Sequence, residues 1–85
     1  MDWLQERSIE AYEVLQVLNT PRRWPRPYRD DLGRSVLTVT GRTSTGRVLR
    51  VALRPAGGRD WEILIAKELQ GPDLAEYLEW EAGRG

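Results

Sequence analysis

The sequence contains no cysteine, no histidine and no phenylalanine, and its only lysine is Lys67. Without cysteine there is neither a disulfide nor a thiolate metal site. Without histidine the commonest metal ligand and the commonest general base near neutral pH are both missing. These two absences exclude the usual zinc hydrolases and the Cys-His and Ser-His-Asp classes of enzyme, and no metal or other cofactor is expected. No stretch approaches 18 consecutive apolar residues, so no membrane span is expected. The first seven residues have no basic flank followed by an apolar run, so no signal peptide is expected, and a cytoplasmic location fits the lack of cysteine. A chain of 85 residues is read as a single domain, 1–85.

What the sequence does have is arginine, unevenly placed. Twelve of the 13 cations are arginines, and they are matched in number by 13 acids. Ten arginines lie between Arg22 and Arg59 against only Asp30 and Asp31, a net charge of +8. Residues 1–21 carry one cation and four acids, and residues 60–85 carry two cations and seven acids, so the ends are −3 and −5. Arginine offers a planar fork of donors suited to phosphate and keeps its charge at any working pH. The zero net charge therefore hides a basic middle between two acidic ends.

Apolar residues at helical spacing (Ile9, Ala11, Tyr12, Leu15, Leu18) predict a helix over 8–18, with Ser8 as N-cap and Glu10 and Glu13 in the early turns. Asn19-Thr20-Pro21 ends it. Pro21, Pro25, Pro27 and Gly33 make residues 20–33 an extended loop or an edge, not a central strand. Strands are expected over 35–40, 47–54 and 61–66, joined by turn-forming residues at 43–46 and 55–58. Gly71-Pro72-Asp73 opens a second helix that fades at Gly83. The expected fold is α+β: an N-terminal helix, a three-stranded and possibly four-stranded antiparallel meander, and a C-terminal helix. One sheet face, under the helices, buries Leu37, Val39, Leu49, Val51, Leu53, Ile63 and Ile65, with Trp61 also in the core.

Alternation on the middle strand puts Arg50 and Arg54 on the face away from Leu49, Val51 and Leu53, with Arg42 and Arg47 flanking the hairpin turn. Such a surface attracts a phosphate backbone. The plainer reading is that exposed strand positions favour long charged side chains. Trp24, between Arg23 and Arg26, is either a base-stacking platform or, as preferred, an anchor packed under the proline loop.

Gly41-Arg42-Thr43-Ser44-Thr45-Gly46-Arg47-Val48-Leu49, followed by Val51-Ala52-Leu53, resembles the hairpin of BrnT-type toxins. Ile63-Leu64-Ile65-Ala66-Lys67 is similar to that family's third strand end, and residues 8–15 running into Thr20-Pro21 are similar to its first helix. The resemblance implies a RelE- or ParE-like toxin of a type II toxin–antitoxin pair. Such a toxin cleaves mRNA without a metal, using the substrate's own 2′-hydroxyl, and assembles with a cognate antitoxin, usually of ribbon-helix-helix type. It implies Arg42, Lys67, Asp73 and Tyr77 as catalytic residues. Arg22, Arg23 and Arg26 in the loop and Arg47, Arg50 and Arg54 in the hairpin are the expected RNA ligands. The chain departs from the family in its last helix, which opens with Gly71-Pro72-Asp73-Leu74-Ala75-Glu76 where the family has a basic stretch. Two alternatives follow: a module without strong catalysis that binds nucleic acid or protein through its arginine face, and a pure protein-interaction domain.

Overall fold

The computed structural model describes residues 9–83. Helix α1 (Ala11–Asn19) is followed by strands β1 (Trp24–Arg29), β2 (Ser35–Arg42), β3 (Val48–Gly57) and β4 (Asp60–Glu68), and then by helix α2 (Gly71–Gly83). The four strands pair in sequence order, each antiparallel to the next. The fold is α+β, with an N-terminal helix, a four-stranded antiparallel meander and a C-terminal helix. No helix among the described residues is long and apolar enough to cross a membrane.

The first helix begins at Ala11, later than its hydrophobic spacing suggests, and the expected N-cap, Ser8, lies outside the described residues. Glu13 explains the later start. Its carboxylate accepts the backbone N–H of Glu10 at 3.0 Å and so closes the first turn from inside the helix. Val14 and Val17 are fully buried, whereas Tyr12 and Leu15 remain exposed. The buried stripe is therefore narrower than the sequence implied.

The proline-arginine segment is the fourth strand. β1 pairs with β2 from Trp24↔Thr40 to Arg29↔Ser35, at the edge of the sheet. Pro25 and Pro27 are tolerated because an edge strand has one side with no partner to bond. At the opposite edge, β4 carries no proline but does carry a bulge. Ala52 faces Ile65 while Leu53 faces Ile63, which leaves Leu64 as the extra residue. Ile63 stays on the aliphatic face, and Ile65 turns to the other face and is 39% exposed. Trp61 is 52% exposed. Neither is core, contrary to expectation: the bulge moves Ile65 across the sheet, and α1 packs on β2 and β3, short of Trp61.

The helices do not share a face. α1 covers Val39, Leu49, Val51, Leu53 and Ala66. α2 lies on the other side, where Val48, Leu69 and Tyr77 form a second buried cluster with Trp24, Leu74 and Trp80. Val48 alternates with Leu49 along β3, so the two clusters are back to back. Trp24 and Trp80 stack with ring centroids 5.2 Å apart and planes inclined by 12°. Two glycines make these contacts possible. A Cβ at Gly41 would meet the Thr20 methyl at 3.1 Å, so glycine lets the end of α1 settle on β2. Gly71, with φ +59°, reverses the chain from β4 into α2.

Candidate nucleic-acid interface

Because α2 covers only one end of the second face, the described residues leave the rest of that face open. Its side chains follow from register. Thr40, Arg50 and Lys67 are cross-strand neighbours on β2, β3 and β4, and the next row holds Arg26, Thr38, Ala52 and Ile65. All of these except the buried Thr40, together with Pro27 and Tyr28, line a shallow concavity of about 460 Å³. Arg50 and Lys67 stand directly opposite each other, a placement that repels unless an anion lies between them. Asp73, in the first turn of α2, supplies one, with its carboxylate 3.9 Å from the Arg50 guanidinium and 3.8 Å from Lys67 Nζ. Arg50 is anchored by donating from Nε to Thr40 Oγ1 at 3.0 Å. Its second terminal nitrogen is buried and has no hydrogen-bond partner among the described residues. Arg26 lies over the Trp24 ring, 4.9 Å from the centroid, and reaches Glu76 at 3.4 Å.

Arg42 belongs to a different cluster. It donates to both oxygens of Glu81, from Nε at 2.8 Å and from a terminal nitrogen at 2.9 Å, and also to the Gly46 carbonyl at 3.0 Å. The Tyr77 hydroxyl donates to the same carboxylate at 3.4 Å. The fork from Arg42 holds the Glu81 carboxyl below its ordinary value, and the carboxylate in turn raises Arg42. Burial, and then the Glu81 charge, pushes the Tyr77 phenol up. This arrangement ties α2 to the hairpin. Glu81 has a lower pKa folded than unfolded, so its stabilisation is complete above the ordinary value of 4.5 and fades as pH falls through the folded one. Between about pH 5 and pH 2, wild-type protein should therefore lose more stability in urea melts than Glu81→Gln does. Equal losses in the two proteins would remove this account.

Three further arginines, Arg47, Arg54 and Arg34, are committed to acids. Arg47 donates to both oxygens of Glu13, at 2.8 and 3.0 Å, and to Glu68 at 2.9 Å. These bonds, to Glu68 first, hold its guanidinium charged. Arg54 pairs with Glu62 at 2.6 Å and Arg34 with Asp30 at 2.9 Å. Arg23 donates to the Thr20 carbonyl at 3.0 Å, and Arg22 adjoins it in the turn before β1. The basic middle and the acidic ends thus meet within one molecule.

Of the four expected catalytic residues, Lys67 and Asp73 meet at the concavity, and Arg42 and Tyr77 meet at Glu81. Of the expected RNA ligands, Arg26 and Arg50 line the concavity. Arg54 lies further along β3, Arg22 and Arg23 flank the other end, and Arg47 faces α1. Sequence reasoning missed Thr40, Tyr28 and Glu81. Thr40 was reachable by pairing strands 35–40 and 47–54 in register, which sets it beside Arg50. Tyr28 needed the register of β1 on β2, which prolines that allow either a loop or an edge strand do not fix. No family model matches the chain, and neither a curated protein nor a solved structure is significantly similar to it.

Proposed function

We propose that this chain is a toxin-type module that acts on RNA in the cytoplasm, binding the RNA backbone on its open sheet face and restrained by a cognate antitoxin through which it oligomerises. The observation that carries this reading is the Arg50–Lys67 pair. Two cations stand side by side on the floor of an open concavity, and neither is within hydrogen-bond distance of the acid beside it. A phosphate oxygen between the two cations would relieve their repulsion and accept from the guanidinium and the ammonium. Tyr28, half exposed at the rim, offers a stacking surface for a base.

Cleavage at this site would use the substrate's 2′-hydroxyl. Its oxygen bonds to phosphorus, its proton passes to Asp73, and the bond to the 5′-oxygen breaks. Arg50 and Lys67 neutralise the phosphorane, and Lys67 protonates the leaving oxygen. A second reading, binding without cleavage, is favoured by Arg42, whose fork is turned to Glu81 and away from the concavity.

Arg50→Ala and Lys67→Ala should each weaken binding of a single-stranded RNA by about tenfold, as loss of a charged hydrogen bond does. Wild-type affinity should also fall steeply with salt. New 2′,3′-cyclic phosphate ends that vanish in Lys67→Ala support the enzyme, and binding without new ends supports the second reading. If folded wild-type protein binds no RNA at low salt, both readings fail.

A further inference from the structure

The ion pairs of this molecule differ in closeness. Those of Arg42 with Glu81 and of Arg47 with Glu13 are forked, at 2.8–3.0 Å. Those at the concavity are loose. Asp73 stands 3.9 Å from Arg50 and 3.8 Å from Lys67, and Glu76 stands 3.4 Å from Arg26. At 3.8–3.9 Å the nitrogens of Arg50 and Lys67 do not bond Asp73, and one Arg50 donor has no hydrogen-bond partner among the described residues. Asp73, Glu76 and Lys67 are about half exposed, so these pairs add little to stability. Their effect is on the charge that a ligand meets: two carboxylates offset three cations.

We infer that the first two turns of α2 are a built-in competitor for the concavity, with Asp73 and Glu76 standing where two successive phosphates of a bound strand would stand. This inference rests on the RNA-binding reading of the site. Three features support it. Asp73 and Glu76 are three residues apart and so share one side of the helix. That side faces the open sheet because Tyr77 and Trp80, further along α2, anchor the helix on Trp24 and Val48. The carboxylates stay outside bonding distance of the Arg50 and Lys67 donors, so an entering phosphate displaces charge without having to break a forked bond. The helix thus sets a threshold: RNA binds only when its phosphates outcompete two tethered carboxylates.

The test compares three proteins: wild type, Asp73→Asn/Glu76→Gln, and the charge-matched control Asp31→Asn/Glu79→Gln, whose acids do not pair with the cations of the concavity. Fluorescence anisotropy with a labelled oligouridylate of about twelve nucleotides reads affinity at low and physiological salt. Asp73→Asn/Glu76→Gln should bind about tenfold tighter than wild type, and the control less than about threefold tighter, because its lost charges act through screening solvent. If the two variants gain equally, the competitor role is overturned and RNA binding stands. If all three proteins keep native circular dichroism and none binds, the RNA reading is overturned and the competitor role falls with it.

Discussion

Arg47→Met should cost about 3–5 kcal/mol of stability, among the largest losses available to a single substitution in this chain. Glu13 is 4% exposed and receives two bonds from Arg47. Methionine fills similar space but leaves that carboxylate buried without its cation, and the carboxylate also closes the N-terminus of α1. An 85-residue domain has about 4–13 kcal/mol in total, so from about a quarter to all of the reserve is at stake. Glu13→Leu/Arg47→Met should recover much of the loss, because replacing both partners of a buried pair by apolar groups is often neutral. It keeps a deficit of about 1 kcal/mol for the lost helix cap. Urea unfolding of the two single variants and the double variant checks this. If Arg47→Met loses under about 1 kcal/mol, the pair is ornamental.

Tyr77→Ala should cost about 3–5 kcal/mol. Tyr77 is among the largest fully buried side chains and joins α2 to Val48, Leu69, Trp24 and Trp80. Tyr77→Phe keeps the ring and loses only a long 3.4 Å bond to Glu81, so it should cost under about 1.5 kcal/mol. The two clusters lie on opposite sheet faces, so in Tyr77→Ala the damage is concentrated beneath α2. The near-ultraviolet signal of the Trp24–Trp80 stack should melt at lower urea than the sheet signal. If the two signals melt together with wild-type stability, α2 is held by something other than Tyr77.

The parts of this fold that were legible in the sequence are those set by local pattern. Gly71-Pro72 marked the start of α2, and Pro25 and Pro27 marked an extended edge. Alternation separated Arg50 from Leu49 and Val51. What sequence alone did not reveal depends on long-range geometry. The Leu64 bulge inverts Ile65, and no residue there announces it. The position of α2 on the arginine face needed Val48 and Trp24 to be recognised as one apolar footing, although they are 24 positions apart in the chain. The same lack of register hid the pairing of acids with arginines. The separated charges first suggested a basic surface, whereas much of that charge is spent on ion pairs inside the molecule, most closely at Arg42, Arg47 and Arg54.

The prolines of β1 also make the sheet directional. A strand that joins an open sheet does so through backbone donors and acceptors along the edge. Pro25 and Pro27 remove donors from one edge, while β4, with Ile63, Leu64 and Ile65, keeps a donor at every residue. Among the described residues, the β4 margin is therefore the better template for an added strand. Any strand exchange or fibre growth would start beside β4, the same strand that brings Lys67 to the concavity.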